Sequence, residues 1–203
     1  LHMKKIILFS FMAFFAGQII AQNNESLAVG KEAPLMNHKI QDISEKPVSI
    51  KSAMGENGIL IMFSCNTCPY VVKNEERTKV IAAFAKKNKV GVLLVNSNEA
   101  KRDDDDSFKA MQAYAKKIGY TFYYAEDAKS VLANAFGATR TPEVFLINSK
   151  GIAVYKGAID DNPSDAVNVK REHLKLAITE MASGKEITVK ESRSVGCTIK
   201  RVD

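Results

Sequence analysis

The sequence predicts an α/β domain built on a central mixed β-sheet with helices on both faces. Three observations carry this. Short apolar runs alternate with helix-patterned segments in the order β-α-β-α-β-α-β-β-α. Two runs, 59–63 and 90–95, are continuously apolar, the pattern of strands covered on both faces. The last two strands are separated only by Asn148-Ser149-Lys150-Gly151, a turn too short for a helical crossover, so they form an antiparallel hairpin.

The 203 residues suffice for one domain and a processed leader, and 46% hydrophobic against 26% charged residues supports a real core. Net charge is +6, but the lysines alternate with acids along helical segments. A nucleic-acid stripe needs clustered Lys and Arg with interleaved aromatics, so no nucleic-acid partner is expected. Leu1 and His2 precede a natural start at Met3; Lys4-Lys5, the apolar residues 6–16 and the small Ala21 follow. That layout predicts a signal peptide over residues 1–21, cleaved near Ala21. The competing membrane anchor is disfavoured because 6–21 is short for a span and contains Gln18. The mature protein is then periplasmic or secreted, meets a membrane only through that cleavable segment, and works where disulfides persist.

Residues 22–29 read as a flexible leader, and residues 30–203 as the domain with its C-terminal tail. Gly30 to Ile50, closing on the alternating Pro47-Val48-Ser49-Ile50, suggests an N-terminal β hairpin added before the core. After the strand 59–63, Val80, Ile81, Phe84 and Ala85 mark one face of a helix that runs from Pro69 to Asn88. After the strand 90–95, Asp103–Asp106 precede a helix with Phe108, Met111, Ala115 and Ile118 on one face. Acids there suit a helix first turn, and the run lacks the spacing of a calcium loop. Residues 121–124 form a short strand, and 130–136 a helix stopped by Gly137. Strands 144–147 and 152–155 follow, and the final helix spans 167–183.

The chemistry lies at Phe63-Ser64-Cys65-Asn66-Thr67-Cys68-Pro69-Tyr70, where an apolar strand turns into a helix. Two cysteines two residues apart let one thiolate attack a disulfide and the other resolve the mixed disulfide. A helix N-terminus supplies unpaired N–H groups and partial positive charge, which favour the thiolate. Pro69 fits the first turn because no N–H is needed there. On this reading Cys65 is the exposed nucleophile and Cys68 the resolving thiol. Against a structural disulfide, a four-residue loop restrains the unfolded chain little. Zinc needs two more ligands at spacing, and haem attachment needs His where Pro69 stands. No cofactor or resident metal is expected. Cys197 either exchanges with the pair or stays a buried apolar residue. Asp160 and Asp161 are turn or capping residues, or line the site.

Thr141-Pro142 ahead of an apolar strand resembles the thioredoxin-like superfamily, although a turn proline opening a strand is the ordinary reading. With residues 63–71, Asn96-Ser97-Asn98, Gly157-Ala158-Ile159-Asp160-Asp161 and Gly196-Cys197-Thr198-Ile199-Lys200 in the same order, the chain looks like the peroxiredoxin-like (redoxin, AhpC/TSA-type) branch over residues 28–200. The resemblance implies a cis Thr141-Pro142 bond, with Thr141 backbone groups pairing with a substrate strand and Pro142 packed on the sulfurs. There are departures. Peroxiredoxins carry Thr or Ser three residues before the reacting cysteine, and here Cys65 holds that place relative to Cys68-Pro69. Thioredoxins carry a buried acid in the strand before the dithiol, where this chain has Ile59; Glu143 is the nearest substitute. Phe63-Ser64 stands where thioredoxins have Trp.

The expected function is an exported thiol–disulfide oxidoreductase acting on protein thiols and disulfides together with a redox partner. Cys65 and Cys68 are catalytic, Asn66, Thr67, Pro69, Thr141 and Pro142 support or bind substrate, and Cys197, Glu143 and Asp160 are accessory candidates. Two alternatives stand beside it: a thiol peroxidase, and a copper chaperone holding metal with Cys65, Cys68 and His173.

Overall fold

The computed structural model describes residues 25–202, so the segment 1–21, expected to be a signal peptide, lies outside the described residues. A short hairpin comes first, β1 (Ile40–Asp42) and β2 (Pro47–Val48), followed by α1 (Ile50–Ala53) and β3 (Gly58–Ser64). Next come α2 (Pro69–Lys73), α3 (Glu75–Lys87), β4 (Val90–Asn96), α4 (Phe108–Ile118), β5 (Tyr123–Glu126) and α5 (Val131–Phe136). The chain closes with β6 (Arg140–Thr141), β7 (Glu143–Asn148), β8 (Ala153–Gly157), α6 (His173–Ala182) and β9 (Cys197–Thr198).

Seven strands form one sheet in the order β2-β1-β5-β4-β3-β7-β8, while β6 and β9 make a separate two-stranded ribbon. The strands β3, β4 and β5 are parallel; β7, β8 and β1 join antiparallel. The predicted mixed sheet and the N-terminal β extension are both present.

The two faces of β3 explain its unbroken apolar run. Ile59, Ile61 and Phe63 point into a core with Ile50 of α1 and Leu132 and Phe136 of α5. Leu60 and Met62 point oppositely, into a core with Ile81 and Ala85 of α3, Met111 of α4, and Leu174 and Ile178 of α6. Each fully buried Ile or Leu contributes about 1.5–3 kcal/mol, so this one strand anchors both layers. At its C-terminal end it delivers Ser64 beside Asn96, the last residue of β4.

Four local expectations are corrected. The segment from Glu25 is not loose: Leu27 packs on the core and donates its N–H to Phe136 O, and Gly30 donates to Ala153 O. Gly137, at φ +60°, has no room for a side chain because Glu25 O occupies that place. Ile50 starts a helix instead of ending a strand, because Ser49 and Ser52 close a reciprocal cap. The helix after the cysteines breaks at Asn74, whose amide donates to Tyr70 O and Pro163 O, and Val80 faces outward at 62% exposure. The last helix starts at His173 rather than 167, since Asp161 and Asp165 hold the backbone N–H groups of Lys170 and Val167 in side-chain-closed turns.

Candidate active site

Cys65 directly follows the C-terminal end of β3, and Cys68 is the N-cap of α2 with Pro69 as its first helical residue. The Thr141-Pro142 bond between β6 and β7 is cis. Thr141 faces both sulfurs: its Oγ1 is 3.4 Å from Cys65 Sγ, and its carbonyl oxygen is 3.2 Å from Cys68 Sγ. The strand-to-helix junction and the cis-proline turn, more than 70 residues apart in sequence, thus meet at one point. Thr67 and Pro69 are exposed between and beyond the cysteines, whereas Asn66 is buried.

The disulfide joins Cys68 to Cys197, across a sequence separation of 129 and a Cα–Cα distance of 6.0 Å; Cys65 is the free thiol. Cys197 arrives on β9, which lies antiparallel to β6 with Thr141 opposite Cys197 and Arg140 opposite Thr198. The expected exposure of Cys65 is corrected: it is 2% exposed, and Cys68 in its disulfide is buried alike at 4%. Burial pushes the Cys65 thiol above its ordinary value. The Thr141 hydroxyl and the backbone N–H groups of Cys68 and Thr67 pull it down, and the Asp106 charge pushes it up again. Burial outweighs the N–H groups of a five-residue helix start. In the oxidised protein, thiolate absorbance from Cys65 is expected to keep rising above pH 9, growing about tenfold per pH unit below that. A plateau reached by pH 8 would contradict the burial.

Ile59 is apolar and Glu143 does not reach the thiols, but a buried acid does stand behind the cysteine loop: Asp106. Asp103, Asp104 and Asp105 are exposed, but Asp106 is wholly buried. Its Oδ1 accepts from Asn66 N (2.8 Å) and Asn96 Nδ2 (2.7 Å), and its Oδ2 from Asn98 Nδ2 (2.9 Å). Tyr124 closes the circuit, donating to Asn66 Oδ1 at 2.8 Å while accepting from Asn96 Nδ2 at 3.0 Å. The Cys-Asn-Thr-Cys loop is thus tied through Asn66 to one carboxylate. Asn96, Asn98 and the acidic run were visible in the sequence as separate motifs; Tyr124 carried no signal.

The remaining candidates do other work. Glu143 accepts from Thr139 N and Arg140 N, clamping the turn before the cis bond rather than serving a thiol. Asp160 is buried against Arg77 at 2.7 Å and accepts from Asn162 N, so it is a turn and ion-pair residue. Asp161 accepts from Lys170 N. His173 sits at the start of α6, and no group of three His, Cys, Asp or Glu that could hold a metal occurs among the described residues, so the set Cys65, Cys68 and His173 is not assembled.

The Redoxin family model matches residues 28–170. No curated protein matches the chain. The crystal structure of an uncharacterized conserved protein from Geobacillus kaustophilus is 28% identical at a TM-score of 0.80, covering 87% of this chain and 93% of that one. A candidate protein disulfide isomerase from Bacteroides thetaiotaomicron is 19% identical at a TM-score of 0.59, covering 77% and 91%. PrxQ of Xylella fastidiosa, as a mutant, is 16% identical at a TM-score of 0.59, covering 79% and 98%. At these identities the last two speak to fold alone, and the fold is thioredoxin-like.

Proposed function

The chain belongs to the Redoxin family and has a redox role on a thioredoxin-like fold; from that premise we propose that it is an exported thiol–disulfide oxidoreductase acting on protein thiols and disulfides. The observation that carries the reading is the cysteine pair set against a cis-proline turn, with a cysteine-bearing strand disulfide-bonded to it. The roles within the pair reverse the order expected from sequence. Cys68 is the sulfur bonded to Cys197 of the strand beside Thr141, so on this reading it takes the mixed disulfide, and Cys65, the free thiol, resolves it. Export rests on the charged, apolar and small-residue pattern of the first 21 residues.

In the exchange, the Cys68 thiolate attacks one sulfur of a substrate disulfide and the other leaves as a thiolate. Cys65 then loses its proton and attacks Cys68 Sγ. The Cys65–Cys68 bond forms, the mixed disulfide breaks, and the second substrate thiolate departs. The Thr141 carbonyl, 3.2 Å from Cys68 Sγ, accepts from that thiol while it is protonated, and the Thr141 hydroxyl steadies Cys65.

Insulin reduction by the pre-reduced protein tests this. Wild type is expected to lose two thiols per insulin disulfide cleaved. The Cys65→Ser/Cys197→Ser variant should accumulate a mixed disulfide at Cys68, and Cys68→Ser should form none. No exchange by the wild type, together with rapid oxidation by low hydroperoxide, would replace this reading with the thiol peroxidase.

A further inference from the structure

The strand position beside Thr141 is filled by the chain itself. From Gly196 onward the tail runs along β6 and then over the domain. Ile199 N donates to Thr139 O, Lys200 N to Asn98 Oδ1, and Ala100 N to Lys200 O. Ile199 is buried at 3% exposure, and the Arg201 guanidinium bonds Asn134 Oδ1 at 2.7 Å and Ala138 O at 2.6 Å. Gly196 is required by this pairing, because a Cβ there would overlap Thr141 O, the oxygen that also faces Cys68. Cys65, Cys68 and Cys197 share one cluster with Val71 and Tyr70.

We propose that residues 196–201 are a tethered substrate: they occupy the docking strand of this site, and Cys197 leaves Cys68 when Cys65 attacks it. This rests on the proposed oxidoreductase function and goes on to name its substrate class, an extended segment whose cysteine follows a glycine. The step is balanced without an outside reagent. Cys65 gives its proton to solvent and its thiolate attacks Cys68 Sγ; the Cys65–Cys68 bond forms, the Cys68–Cys197 bond breaks, and Cys197 leaves as a thiolate that takes up a proton. Oxidation state is conserved, and the docking strand is freed. A plain structural staple needs neither a third thiol packed against the bond nor the strand register of a bound substrate.

The probe is the symmetric disulfide of a synthetic peptide with the sequence of residues 194–200, mixed with the reduced protein, reading peptide thiol released in a single turnover. The tail competes for the site, so Gly196→Val, which cannot seat it, is expected to release thiol about tenfold faster than wild type, the gain for a site the tail fills nine-tenths of the time. The same peptide with Val in place of its glycine should be slower on both proteins. Equal rates for both proteins and both peptides would overturn the tether while leaving the exchange activity standing. No release in any combination, with no insulin reduction, would overturn the exchange activity itself. Disulfide mapping of the unmodified protein across a glutathione redox series guards against a folding defect in the variant. Both Cys68–Cys197 and Cys65–Cys68 forms should be trapped, and Cys68–Cys197 alone at every poise would reduce the bond to a staple.

Discussion

Cys197→Ala is expected to lower the stability of the oxidised protein by roughly 3 kcal/mol, and full reduction of the wild type by as much as about 5 kcal/mol. The figures follow from loop entropy. Cys68 and Cys197 are 129 residues apart, so their bond restrains most of the unfolded chain. A bond between Cys65 and Cys68 closes four residues and restores only about 2 kcal/mol on the same scale. Oxidised Cys197→Ala, left with that short bond, should therefore fall between oxidised and reduced wild type. At about 2–4 °C per kcal/mol for a domain of this size, reduction should lower Tm by roughly 10–20 °C. Denaturant melts of wild type and variant, with and without reductant, check it. Identical midpoints for oxidised and reduced wild type would mean that the long bond does not form. The native contacts of Ile199 and Arg201 survive in Cys197→Ala, so the loss belongs mainly to the unfolded state.

What could be read from sequence divides along a physical line. The residues 59–63 announce a doubly covered strand because both faces of β3 are apolar, and no tertiary knowledge is needed to see that. The turn 148–151 announces a hairpin by its length, and Thr141-Pro142 marks the cis-proline by resemblance. Pairings decided by distant chain are a different matter. Nothing local in Gly196-Cys197-Thr198 says that it lies against Arg140-Thr141 rather than remaining a tail, since a two-residue strand has no periodicity. The same holds for the acidic run. A helix first turn explains four aspartates equally well, and only the approach of Asn66, Asn96 and Asn98 singles out Asp106. Val80 failed for a different reason: the buried stripe of α3 runs through Thr78, Ile81, Ala82 and Ala85, which leaves Val80 past its edge in solvent. The site's chemistry was therefore legible as residue types. Its wiring was not, because most of it joins distant chain: Asn66 to Asp106 and Tyr124 across 40 and 58 residues by hydrogen bonds, and Cys68 to Cys197 across 129 by the disulfide.

Asp106→Ala should cost about 2–6 kcal/mol, because it strands two buried donors, Asn66 N and Asn98 Nδ2, each worth about 1–3 kcal/mol when left unpaired, while Asn96 Nδ2 keeps Tyr124 as acceptor. Against a typical total of about 5–15 kcal/mol, that brings the fold near its limit. Asp106→Asn separates shape from charge. Its amide oxygen can still accept from Asn66 N and Asn96 Nδ2, but its NH2 then meets the Asn98 NH2, so one donor pair is unmatched and the loss should be about 1–3 kcal/mol. The charge has its own readout. Asp106 raises the Cys65 thiol, so removing it must move the Cys65 titration to lower pH than in wild type, toward a more available thiolate. The sign is fixed by Coulomb's law: an anion beside a second, nascent anion disfavours it, and a neutral amide does not. Denaturant midpoints measure the first effect and thiolate absorbance against pH the second. If Cys65 in Asp106→Asn titrated at or above its wild-type pH, the carboxylate would be a loop anchor with no hold on the thiol. A downward shift makes one residue both the anchor of the Cys-Asn-Thr-Cys loop and the brake on the Cys65 thiolate.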